Sequence, residues 1–192
     1  MGLALVLVIG ILDQVSPAVI PDYAPTQARW NSDEAFVARV ERALPDGASV
    51  FELPYRAFPE APKVGNIGPY DLVRPYLHSD SLKWGWGGML GREADWQVST
   101  AELPAAEMLD RLSAVGFDGL VYDLGSTYHF KEPFPDGISA ALGRQPIVSR
   151  NRELAFWDLR AYARGVRERL GPSGVRHLRA VALADRAERA HQ

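Results

Sequence analysis

The chain opens on an unbroken apolar run, GLALVLVIGIL over residues 2–12, and turns polar at Asp13 and Gln14. A membrane-spanning helix needs about 20 apolar residues, and shorter runs more often serve as core segments or signal sequences. No Lys or Arg precedes this run and no small-residue cleavage site follows it, so a signal peptide fits poorly. Two expectations remain for residues 1–14. One is a buried strand, which Val6, Val8 and Ile9 suit; the other is the last half of a transmembrane helix that meets water at Asp13.

Residues 15–30 follow, with prolines at 17, 21 and 25. Proline lacks a backbone donor and interrupts both helices and central strands, so the segment reads as an extended tether. Asn31 then reads as a helix cap with Glu34 as its capping-box partner. Phe36, Val37, Val40, Ala43 and Leu44 recur at helical spacing before Pro45-Asp46-Gly47 stops the helix. Residues 49–53, SVFEL, read as a strand ended by Pro54.

From 55 to 97 the pattern weakens into proline, glycine and aromatic residues, with a short helix expected around 70–76. A long stretch without strong elements is usually functional or covers something. Periodicity returns at Pro104, which suits a first helical position. Met108, Leu109, Leu112 and Val115 form the buried stripe of that helix, and Gly116 closes it. Residues 117–123, FDGLVYD, predict a strand, and 138–142 a short helix closed by Gly143. Residues 146–149 and 154–159 predict two strands joined by the turn Arg150-Asn151-Arg152-Glu153. Helices alternating with strands predict a small layered α/β domain over 31–160, with a central mixed sheet, a long aromatic and glycine-rich insertion and at least one right-handed crossover. Residues 161–192 are rich in Arg and Ala, broken by Gly171-Pro172-Ser173-Gly174, and predict a basic helical tail: a solvated surface, or one facing anionic lipid.

Composition narrows the function classes. The 192 residues are 47% hydrophobic and 23% charged, an ordinary globular balance that argues against global disorder. A net charge of −3 supplies no overall basic field for nucleic acid. With no cysteine there is no disulfide, thiolate metal site or cysteine nucleophile. No phosphate-binding GxxxxGK[ST] loop occurs, and Ser126 lacks the GxSxG context of a serine hydrolase. Asp123 and His129 lack a third partner for a metal site. No cofactor is therefore expected.

Chemistry-bearing residues concentrate in 70–97: Tyr70, Asp71, Arg74, Tyr76, His78, Trp84, Trp86, Arg92, Asp95 and Trp96. Flat rings cover the apolar faces of a sugar, while guanidinium forks and carboxylates take its hydroxyls. Arg74 and Arg92 alternatively match the phosphate of a lipid carrier, although pairing with Asp71 or Asp95 is the commoner fate of such arginines. His78 is a candidate acid or base, or a hydrogen-bonded structural residue. Glu52 and Asp123 each end a predicted strand, where α/β proteins place ligands, and two carboxylates are the equipment of a glycoside hydrolase.

Several segments carry a family resemblance: the helix 36–44 with VFELPY after it, the tether sequence DYAPT behind an apolar end carrying LDQ, then YDLVRPYLHS, LKWGWGGMLGREADWQ, LSAVGFDGLVYD and LAFWDLR. Over roughly residues 3–160 the chain resembles the extracytoplasmic carboxy-terminal domain of multi-pass GT-C-type glycosyltransferases, which use polyprenyl-phosphate sugars. The resemblance implies an accessory domain on the extracytoplasmic (periplasmic) membrane face, attached through its apolar start. It implies a lipid-linked sugar or glycan acceptor as partner, and the candidate contacts to it are Tyr55, Asp71, Arg74, His78, Trp84, Trp86, Arg92 and Trp96. The membrane core and the acidic catalytic residue of such enzymes have no counterpart here, so no catalytic residue is carried over and the domain is expected to be non-catalytic alone. The alternatives are a free-standing envelope domain that binds glycan or protein, and a small glycoside hydrolase using Glu52 and Asp123.

Overall fold

The computed structural model describes residues 2–14, 22–58, 63, 67–85, 87–89, 96–125 and 134–184. Residues 1–31 and 32–192 form two compact units. In the first, α1 (Gly2–Gln14) is a helix, which corrects the expectation of a buried strand. Leu3, Leu5, Val6, Leu7, Ile9, Ile11 and Leu12 are all more than half exposed. Among the described residues no helix is long and apolar enough to cross a membrane.

Helix α2 (Tyr23–Ala43) starts eight residues before the expected cap at Asn31. Part of the predicted tether is therefore helical, and residues 15–21 lie outside the described residues. Asp22 accepts the N–H of Ala24 at 3.1 Å and serves the helix start. Pro25 falls in the first turn, where its missing N–H has no intrahelical acceptor to lose. Asn31 instead accepts a bond from Gln27 one turn earlier, at 2.8 Å.

The second unit is built on a five-stranded mixed sheet of order β3-β1-β5-β7-β6, flanked by helices: a small α/β domain. Its strands are β1 (Ser49–Leu53), β3 (Lys83–Gly85), β5 (Gly119–Asp123), β6 (Ile147–Val148) and β7 (Leu154–Asp158). β1 runs parallel to β3 and β5, while β7 runs antiparallel to β5 and β6. A separate parallel pair joins β2 (Ala57–Phe58) to β4 (Gly88–Met89).

Alternation along the strands divides two cores. Phe36, Val37 and Val40 of α2, with Leu44 just beyond its end, cover one face, against Val50, Val121, Leu154 and Phe156. The other face, with Phe51, Leu53, Leu120, Tyr122 and Trp157, packs under α3 (Trp96–Ala101), α4 (Ala105–Val115) and α5 (Phe134–Leu142). In α4, Met108, Leu109 and Leu112 are fully buried, as their spacing predicts, and Gly116 ends the helix at φ 112°. Gly119 has a different reason: a Cβ there would sit 2.6 Å from the Phe156 ring. Helix α6 (Arg160–Ala184) occupies the described part of the predicted helical tail and breaks its geometry at Gly171, φ 64° and ψ 174°, while residues 185–192 lie outside the described residues.

The weakly patterned middle holds two 3₁₀ turns, Asp71–Val73 and Tyr76–His78, in place of one short helix. β2, β3, β4 and α3 were not legible there. Each is six residues or fewer, too short for a period to emerge.

Candidate functional site

Parallel pairing of β1 and β5 sets the site. Glu52 lies in register with Val121, so Glu52 and Asp123, two residues further along β5, project from the same face at the carboxyl ends of neighbouring strands. Each is 1% exposed. The two strand-end carboxyls thus lie at the same edge of the sheet.

Arg74 ties the surrounding segments together. Its Nε donates to Asp33 Oδ2 and its Nη2 to Asp33 Oδ1, both at 2.8 Å, a forked bond to a carboxylate. Nη2 also donates to Glu153 Oε2 at 2.9 Å, and Nη1 lies 3.6 Å from Asp123 Oδ2. One guanidinium thus joins α2, the first 3₁₀ turn, β5 and the turn before β7. Burial opposes its charge, but the hydrogen bonds to Asp33 and the charges of Asp33, Asp123 and Glu153 prevail and raise its pKa.

Glu52 is different in kind. Among the described residues neither of its oxygens has a hydrogen-bond partner. Burial first, then the charge of Asp123, pushes its carboxyl well above the ordinary carboxylate range, so the protonated form is favoured. Asp123 is held by the Gly125 N–H at 2.9 Å and by its ion pair with Arg74. Two carboxyls with unlike environments are the raw material of acid–base chemistry. Here both are sealed from solvent, and the exposed end of the cluster is Glu153, whose side chain is 36% exposed.

The turn that presents Glu153 is itself cross-braced. Ser149 Oγ accepts the N–H groups of Glu153 and Leu154 and donates to Asn151 Oδ1 at 2.7 Å. The Asn151 N–H in turn donates to Ser32 on α2 at 3.2 Å.

The other predicted site residues disperse. Asp71 accepts the Gly68 N–H at 2.7 Å and closes its turn instead of pairing with Arg74. The Tyr55 hydroxyl donates to the Gly88 carbonyl at 2.9 Å and accepts the Gly88 N–H at 3.2 Å, which fastens β4 near β2. His78 is half-buried in the second 3₁₀ turn. Trp84 is half-buried and packs on the α2 side of the sheet. Trp96 is buried on the opposite side, its ring 6.4 Å from Phe51 and 6.2 Å from Phe117. These two tryptophans form no common platform. Trp86, Arg92, Asp95, Ser126 and His129 lie outside the described residues. Among the described residues of the segment the aromatic groups that face solvent are Tyr70 and Tyr76, 53% and 59% exposed, flanking Arg74 in sequence.

Sequence reasoning missed Asp33 and Glu153. Asp33 had a signal: it occupies the stripe of Phe36, Val37, Val40 and Leu44, where an acid has to find a cationic partner to be buried. Glu153 had none, since its partner lies 79 positions away. Among the described residues no group of three His, Cys, Asp or Glu is arranged to hold a metal ion. The chain matches no family model, no curated protein and no solved structure.

Proposed function

We propose that this chain is an extracytoplasmic accessory domain of a GT-C-type membrane glycosyltransferase, non-catalytic alone, that helps form a site for an acceptor or a polyprenyl-phosphate sugar. The observation that carries the reading is α1: Leu3, Leu5, Val6, Leu7, Ile9, Ile11 and Leu12 are exposed at positions around the helix. A helix apolar all round is stable only where lipid or protein covers it. Its 13 residues extend about 20 Å against a hydrocarbon core of about 30 Å, the dimension of a partial span. The motifs of 70–97 and the solvent-facing Tyr70 and Tyr76 support the sugar-binding half of the proposal. The hydrolase alternative draws on the convergence of Glu52 and Asp123, but both are buried, each 1% exposed.

The test is a titration of the full chain in neutral phosphatidylcholine nanodiscs with a short-chain polyprenyl-phosphate sugar, read by tryptophan emission and calorimetry. Saturable binding that weakens in Tyr70→Ala and Tyr76→Ala is expected. No heat or emission change up to millimolar ligand would remove the proposal. Equal binding of the soluble sugar without its lipid phosphate would move the assignment to an envelope glycan-binding domain.

A further inference from the structure

Helix α6 carries arginines at 160, 164, 167, 169, 176 and 179 against a single acid, Glu168, while the whole chain is net negative. Two of these arginines are accounted for. Arg160 pairs with Asp158 at 2.6 Å, and Arg169 with Asp110 of α4 at 2.6 Å. Arg164, Arg167, Arg176 and Arg179 are exposed and have no acidic partner among the described residues. Arg164 and Arg167 stand three apart on the first half of the helix, and Arg176 and Arg179 three apart on the second, so each pair shares a side of its half. The break at Gly171 separates the halves.

The other exposed residues of α6 are mostly small or apolar, Ala161, Gly165, Pro172, Ser173, Ala180, Val181, Leu183 and Ala184, with Glu168, His177 and the paired Arg169 as the polar exceptions. Surfaces that bind single-stranded nucleic acid interleave arginine with aromatic rings, and α6 exposes no Phe, Tyr or Trp. Arginine with a few apolar neighbours suits the boundary between headgroup and acyl chain, where the stem lies along apolar material and the guanidinium reaches phosphate.

We propose that α6 docks on an anionic phospholipid surface through Arg164 and Arg167 of its first half and Arg176 and Arg179 of its second. The inference deepens the membrane setting proposed above but rests on different residues and a different force, charge attraction in place of apolar burial. Each arginine brought against an anionic bilayer multiplies partitioning by about fivefold, so four confer a hundredfold or more (on the order of 10²–10³) at low salt.

The experiment is flotation of the full chain with vesicles of phosphatidylcholine alone and of an equal mixture with phosphatidylglycerol, at low and high salt. The wild type is expected to favour the mixed vesicles about a hundredfold at low salt and to lose that preference at high salt. The quadruple variant Arg164→Gln, Arg167→Gln, Arg176→Gln, Arg179→Gln should abolish the preference with unchanged circular dichroism, and the corresponding quadruple lysine variant should keep it. Binding to pure phosphatidylcholine reports α1 separately. Its loss with the anionic preference intact would fault the α1 reading alone, whereas neutral binding without the preference would fault the α6 inference alone. A preference that survives the glutamine variant, or tighter binding of an oligonucleotide than of mixed vesicles by the same arginines, overturns the proposal.

Discussion

Replacing Glu52 with glutamine tests the electrostatic account of the strand-end cluster. The side chain is 1% exposed and shares a sheet face with Asp123 on the neighbouring strand, whose carboxylate pairs with Arg74. Burial first, then the charge of Asp123, holds its carboxyl well above the ordinary carboxylate range. Between the ordinary unfolded value and the raised folded one, the native state holds a proton that the unfolded chain has released. Stability is therefore greatest below the unfolded value and falls as pH rises through the window, by about 1.4 kcal/mol per pH unit at the limiting slope. Glutamine keeps the shape and cannot ionise, so Glu52→Gln should remove this component and gain on the wild type by that amount per unit. Urea unfolding followed by tryptophan emission, at half-unit steps from pH 5 to 8, measures both proteins with the urea slope as a check on two-state behaviour. A difference between the two proteins that stays constant with pH would refute the assignment of a raised carboxyl to Glu52.

Two further substitutions probe the frame around it. Arg74→Met leaves Asp33 and Asp123 buried without their cation and should cost about 3–5 kcal/mol by the same urea assay, with Asp33→Asn, Arg74→Met less damaged than the sum of the single changes. Gly119→Ala forces a methyl against the Phe156 ring and should cost about 1–3 kcal/mol, part of it recovered by Phe156→Leu.

The elements that were legible in the sequence announce themselves locally. Pro104, the stripe Met108-Leu109-Leu112 and the left-handed Gly116 define α4 within a dozen positions, and the two strands around Arg150-Asn151-Arg152-Glu153 are joined by a tight turn. The start of α2 was misread because prolines suggest an extended chain, whereas Pro25 sits where a helix has no bond to lose. The strand-end cluster was half legible. Glu52 and Asp123 followed from strand ends, but the partners of Arg74 are 41 and 79 positions away and no local spacing encodes them. The tryptophans mislead for a related reason: proximity in sequence hides the fact that Trp84 and Trp96 belong to opposite faces of the sheet.

The sheet's outermost strands carry a consequence for how these molecules behave in a crowd. β3 has three residues and β6 has two, whereas the central strands have five each. An edge this short offers a neighbour only a few free backbone groups to pair with, and exposed Lys83 puts a charge on one of them. The domain thereby guards its sheet against stacking edge to edge into larger aggregates. Lengthening β6 by redesign of its turn would strengthen the ladder to β7 and, in the same stroke, open a template for self-association.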